Sequence, residues 1–405
     1  MSGIGVIRDV TIAAKRYLKT PEICIFVGAR QAGKTTILRQ LQEETQKTGE
    51  TSYSLNLEDP DYLAALNASP KKLLEIFPLD LNHRAVIFID EIQYLENPSN
   101  FLKYFYDEYQ GKIKLLVSGS SAFYLDRKFK DSLAGRKRIF NVWTLSFREF
   151  LRFRGEEELA RRDLGQLSLS EKEKAAAYYR EYLVYGGYPR LVLSPLEEKI
   201  EVLKDIAYSY IKKDILETGV RQDEIFYKLF KILAAQIGGL VNASELALTL
   251  GVSKTSIDSY LHIMQKSFHI QLIAPFFRNV RKELTKMPKI YFLDLGLRNF
   301  FADNFKQFAY REDRGALLEN AVFRQLLEQY DAGEIKFWRT INKQEVDFVA
   351  PGKKAWEVKV DPRRFRVKDY QLFLDTYPDM PLTIASFNVS QEKVDDLPVI
   401  EPWQI

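Results

Sequence analysis

One cysteine, Cys24, stands in the whole 405-residue chain, with only three histidines, His83, His262 and His269. That stock excludes an internal disulfide and also zinc fingers and ribbons, so any bound metal has to be held by carboxylates. No apolar run approaches the roughly 18 residues that a membrane helix needs. The opening residues, Met1 to Arg8, lack the basic segment, apolar stretch and small-residue cleavage site of a secretory signal. The expectation is a soluble, cytoplasmic protein with no membrane partner. Neither sign of charge dominates: 59 basic against 55 acidic residues leave +4, too mild to name a partner without local clustering. Internal repeats and low-complexity tracts are lacking too.

What is present is the composition of a folded chain, 46% hydrophobic and 28% charged, which leaves no room for global disorder. At about 150 residues per domain the length suggests two to three domains. Between residues 22 and 143, short β-branched runs at 23–27, 53–57, 86–89, 113–117 and 139–143 alternate with helical patterns. Near-continuous apolar strands of this kind predict a parallel sheet covered by helices on both faces. After Ser146 the pattern turns helical, and Tyr185-Gly186-Gly187-Tyr188-Pro189 must break it. Residues 221–290 read as helix, helix, turn, helix and hairpin. The last segment reads as a second α/β unit: helix 316–329, strands 335–340, 346–349 and 355–360, helix 367–376 and strand 382–387.

Gly28-Ala-Arg30-Gln-Ala-Gly33-Lys34-Thr35 fits G-x-x-x-x-G-K-[ST] between an apolar strand and a helix. The glycines allow a tight loop whose N–H groups face phosphates, Lys34 reaches the β/γ oxygens, and Thr35, followed by Thr36 in the first helical turn, takes a place on Mg²⁺. The run Val86-Ile-Phe-Ile89 ends in Asp90-Glu91 at a carboxyl edge, where ligands of open α/β sheets bind. Asp90 would orient Mg²⁺ and Glu91 would polarise the attacking water.

These elements, with Ser118-Gly-Ser120-Ser121 after the next strand and Ser132-Leu-Ala-Gly-Arg136 ahead of Leu145-Ser-Phe-Arg-Glu-Phe150, resemble a prokaryotic branch of the AAA-type ATPases. The resemblance covers nearly the whole chain. It implies ATP and Mg²⁺ as cofactors, Ser118 or Ser120 as sensor of the γ-phosphate, and a homo-oligomer, a hexamer among the possible arrangements. Arg136 is the candidate arginine finger for a neighbouring subunit, with Arg127 and Arg138 nearby. Pro189 resembles the Gly-x-Pro element with which related switch ATPases contact the base, and equally reads as a helix stop.

Asn242-Ala-Ser244-Glu245 opens a helix, Gly251-Val-Ser253 makes a turn, and residues 254–268 carry Ile257, Leu261, Met264 and Phe268 as a core stripe. Lys254 lies on the opposite, polar face. The hairpin that follows gathers Arg278, Arg281, Lys282, Lys286 and Lys289 around its tip against Glu283 alone. This reads as a winged helix whose wing suits DNA phosphates, or else serves as an interface.

On the strand at 355–360, Glu357 and Lys359 share one face; on the preceding strand Glu345 and Asp347 share one, so Asp347 can approach Glu357. Glu319 on the leading helix is a third carboxylate. Converging carboxylates repel unless a cation relieves them, and hard oxygen ligands suit Mg²⁺ or Mn²⁺, with Lys359 orienting a nucleophile or neutralising charge. The order of elements resembles the restriction-endonuclease fold, including Holliday-junction resolvases. Two alternatives stay open: a salt-bridged face without chemistry, and a degenerate nuclease kept for binding. The expected architecture is thus α/β throughout. A P-loop AAA-type parallel-sheet core (1–150) is followed by a helical lid (151–220), a winged helix-turn-helix (221–300) and a restriction-endonuclease-like α/β domain (301–405).

Overall fold

The computed structural model describes residues 5–119, 133–210, 223–276, 286–350, 352–387, 389 and 392–405. They fall into two compact units, Met1–Trp143 with Lys266–Phe268, and Thr144–Gln265 with His269–Ile405.

The first unit is built on five strands: β1 (Ile23–Val27), β2 (Thr51–Asn56), β3 (Ala85–Asp90), β4 (Ile113–Gly119) and β5 (Lys137–Asn141). All pair in parallel in the order β2-β3-β4-β1-β5. Strands β1, β3 and β4 are buried along their whole length, as continuous apolar runs flanked by helices require. Their residues Ile23, Ile25, Ile87, Ile89, Leu115 and Val117 form one core with Phe101, Leu102 and Phe105 of the helix Pro98–Tyr109. The edge strand β2 begins two residues earlier than its β-branched run suggests. Its outer residues are solvated, so ladder bonds to β3 rather than burial set its start. Because β4 lies between β1 and β3, the ends Val27, Asp90 and Ser118 converge on one edge.

In the second unit, the helices Phe147–Phe153 and Leu169–Tyr185 each start in a capping box, Ser146 with Glu149 and Ser168 with Glu171. The longer helix stops at Gly186, where φ is +75°. A Cβ there would lie 2.4 Å from the Asp294 carboxylate, and Asp294 also accepts from the Gly187 N–H at 2.9 Å. Packing inside this unit thus demands the Gly-Gly pair, and Pro189 opens the next helix, Pro189–Leu193.

The helices Asp223–Ala235, Ala243–Leu250 and Lys254–Lys266 follow, with Asn242 capping the second and Gly251 turning at φ +68°. Ile257, Leu261 and Met264 are buried as their spacing requires. The helix ends at Lys266 rather than 268, and Phe268 lies beyond it with φ +60°. Strands β6 (Ile270–Ile273) and β7 (Lys289–Phe292) then pair antiparallel.

The carboxyl-terminal elements are the helix Arg314–Leu326 and a mixed sheet of β8 (Lys336–Arg339), β9 (Glu345–Ala350), β10 (Lys354–Lys359), β11 (Leu382–Ser386), β12 (Lys393–Val394) and β13 (Leu397–Ile400). Their order is β12-β13-β11-β10-β9-β8. Strands β12 and β13 are additions to the sequence expectation. Asp395 and Asp396 both take positive φ, +49° and +65°, as a tight two-residue hairpin turn needs. Among the described residues no helix is long and apolar enough to cross a membrane.

Candidate functional site

In the first unit the loop after β1 cannot carry a side chain at its first position: a Cβ on Gly28 would lie 2.1 Å from the Val142 carbonyl oxygen. Gln31 and Gly33 take left-handed φ, +63° and +97°, and turn the loop into the helix Lys34–Lys47, which starts without a side-chain cap. A helix entered in this way directs backbone N–H groups and the positive end of its dipole at an anion. Lys34 is 5% exposed and bends over the loop, donating to the carbonyls of Gly28 and Ala29 at 2.9 Å each. Arg30 is buried, whereas Thr35 and Thr36 are exposed.

The Thr35 hydroxyl donates to Asp90 Oδ2 at 2.6 Å, while the buried Ser118 hydroxyl donates to Asp90 Oδ1 and accepts from the Glu91 N–H at 3.2 Å. Ser118 therefore holds the Asp90-Glu91 pair at the sheet edge. The other serine expected there, Ser120, lies outside the described residues, as does Arg127. Glu91 sits in the left-handed region at φ +59° and its carboxylate accepts from the Gln93 side chain. One hydroxyl and one carboxylate on a common edge are the donor set that a hard cation bridging to phosphate requires, so the residues fit Mg²⁺ with a nucleotide. Arg136 stands at the opposite edge, where its carbonyl accepts from the Ile23 N–H. Its guanidinium holds Asp107 at 2.7 Å.

In the second unit the expected alternation brings Asp347 and Glu357 together. The Asp347 N–H donates to Glu357 Oε2 at 3.3 Å, and the Val358 N–H donates to Asp347 Oδ2 at 2.9 Å. Glu357 also accepts from Lys359 and, at 2.7 Å, from the Tyr370 hydroxyl. Asp347, Glu357 and Lys359 line an open cleft of about 460 Å³ together with Glu345, Lys368 and Tyr370.

Lys289 changes the reading of this cluster. It is not at a solvated wing tip but on β7, 2% exposed, with Nζ 3.1 Å from Glu319, 2.5 Å from Glu345 and 3.8 Å from Asp347. Tyr291 donates to Glu319 at 2.5 Å, and Arg339 reaches the other oxygen of Glu345 at 2.9 Å. Burial alone would lower the Lys289 ammonium, but Glu319, Asp347 and Glu345 outweigh it and push it up. Burial, and then Asp347, push Glu319 up to about 7 and Glu357 up to about 8. Among the described residues no group of three or more His, Cys, Asp or Glu is disposed to hold a metal ion. The expected set Glu319, Asp347 and Glu357 thus does not fit Mg²⁺ or Mn²⁺ here, because an ammonium already stands between the carboxylates. Glu345, Tyr291 and Tyr370 join the cluster beyond the expected residues.

Of the proposed DNA contacts, Lys254 is exposed and paired with Asp258 at 2.6 Å, and Lys286 is exposed. Arg278, Arg281 and Lys282 lie outside the described residues.

Residues 20–151 match the family described as an AAA domain, while residues 176–307 and 314–397 match two families described as domains of unknown function. With its parallel sheet and phosphate loop, the amino-terminal unit is an AAA-type ATPase-like domain. An uncharacterized protein of Haemophilus influenzae is 27% identical over 356 residues, covering 85% of this chain and 82% of that one. One of Methanocaldococcus jannaschii is 26% identical over 347 residues, covering 84% and 74%. Among solved structures, the Thermotoga maritima RuvB Holliday junction branch migration motor aligns at 16% identity with a TM-score of 0.34. The alignment covers 68% of this chain and 91% of that one, too distant for that protein's action to be carried over.

Proposed function

We propose that the protein is an ATP-binding and ATP-hydrolysing switch that acts on DNA, in which nucleotide state governs assembly and DNA engagement. The observation that carries this reading is the joint placement of Lys34, Thr35, Asp90 and Glu91 at one sheet edge, with Ser118 holding the acidic pair. Thr35 and Asp90 would hold Mg²⁺, which supplies charge neutralisation for the phosphates. Lys34 exchanges its two carbonyl bonds for the β/γ-phosphates. Glu91, released from Gln93, accepts the proton of a water whose oxygen bonds to the γ-phosphorus as the bond to the β–γ bridging oxygen breaks. In this reading Ser120 senses the γ-phosphate and Arg136 completes a neighbouring subunit's site.

The hairpin's Arg278, Arg281, Lys282 and Lys286, with Lys254 on the helix, would meet DNA phosphates. The carboxyl-terminal domain is read as a restriction-endonuclease-like module without turnover, a reading favoured by Lys289 among its carboxylates. The protein acts in the cytoplasm as a homo-oligomer, with a hexamer as the first arrangement to test.

Titration with a fluorescent ATP analogue and a phosphate-release assay test the core of this. Lys34→Ala should abolish binding. Glu91→Gln should keep it and slow hydrolysis about 100-fold or more, the loss expected for a general base. Equal nucleotide affinity in Lys34→Ala and wild type would refute the nucleotide site.

A further inference from the structure

We propose that Lys289 is the resident cation of the carboxyl-terminal carboxylate cluster, holding divalent metal out, so that a neutral side chain at 289 opens a divalent-cation site. The inference rests on the reading of that domain as catalytically silent and supplies its physical cause.

The position of Lys289 is fixed by its backbone. It opens β7, pairs with Ile273 of β6 and bridges Leu240, which anchors its Cα in the hairpin's ladder. Its ammonium draws partners from two other elements, Glu319 of the helix Arg314–Leu326 and Glu345 and Asp347 of β9. It also does not line the 460 Å³ cleft, although Glu345 and Asp347 do. Lys289 therefore fills the back of the cluster while the front stays open to solvent.

Charge balance argues the same way. Among the described residues, Lys289 meets Glu319, Glu345 and Asp347, Arg339 also holds Glu345, and Lys359 holds Glu357, so each carboxylate of the cluster already has a cationic partner. A divalent ion added to that set meets an ammonium within the same shell of oxygens. Without the Lys289 charge, the oxygens that it gathered remain on two anchored elements, the helix Arg314–Leu326 and β9, with their shared cation gone. A buried ion-paired group removed without replacement is strongly destabilising, so the vacated cluster has a steep electrostatic demand for a new cation. Mg²⁺ and Mn²⁺, with their preference for carboxylate oxygens, meet it, and the open cleft provides their entry.

The test is Mn²⁺ binding to the nucleotide-free full chain, followed by electron paramagnetic resonance and calorimetry, in wild type, Lys289→Met, Lys289→Arg and Lys289→Met with Asp347→Asn. Wild type and Lys289→Arg should take up no Mn²⁺ at the cluster. Lys289→Met should gain one ion per chain, bound at least 10-fold more tightly than any background, and should melt at a higher temperature with Mn²⁺ than without it. Adding Asp347→Asn should abolish the gain. Should Lys289→Met be unfolded alone, Mn²⁺ is expected to restore its folded circular dichroism spectrum. A metal-indifferent Lys289→Met, folded or unfolded, overturns the proposal and leaves the silent-domain reading standing. Mn²⁺ bound at the cluster of wild type, and lost when Asp347→Asn is made alone, overturns both.

Discussion

Glu357 sits 3% exposed between Lys359, Tyr370 and the Asp347 backbone, and its protonation is tied to folding. Its folded value lies near 8, and that of Glu319 near 7, both above the ordinary 4.5. Because the native state holds these protons more tightly than the unfolded chain, the stabilisation they bring is complete below about 4.5 and is lost as pH rises through 7 to 8. Denaturation of wild type and Glu357→Gln across pH 4.5 to 8.5 should therefore show wild type losing ground steadily to the variant. A pH-independent difference would contradict the raised value.

At this scale the phosphate loop was legible because a backbone cradle dictates its own residues: only glycine avoids Val142 at position 28. Lys289 was not. A lysine in a basic stretch reads as solvated, and only packing against a helix and a strand 30 to 58 residues onward gives it acidic company.

Among the elements, β9 and β10 were readable because a strand's two-residue period assigns each side chain a face, which brought Asp347 and Glu357 together as expected. The short β12 and β13 escaped because two and four residues offer too little periodicity. The hairpin gains a sharper definition from β7. With Lys289 turned inward, Lys286 is the exposed lysine that precedes it among the described residues. Neutralising Arg281, Lys282 and Lys286 together should weaken DNA binding and reduce the magnitude of the salt slope by up to about 0.9 for each phosphate no longer neutralised. Unchanged affinity and slope in a filter-binding salt series would leave the hairpin as an interface element.

For the molecule as a whole, packing groups everything after Trp143, apart from Lys266–Phe268, into one unit. That grouping arises from pairings invisible in local pattern, such as Asp294 with Gly187 and Tyr291 with Glu319. Assembly is tested through Arg136, which stands at the sheet edge away from its own phosphate loop. Mixing Arg136→Ala with Glu91→Gln subunits should recover part of the ATPase activity that each lacks alone, at interfaces pairing a sound finger with a sound base. Unimpaired hydrolysis by a monomeric Arg136→Ala would refute the trans arrangement.

The retracted Lys34 carries one more consequence. Its ammonium donates to two carbonyls of the same loop, so the cation offered to a phosphate is held by the cradle it belongs to.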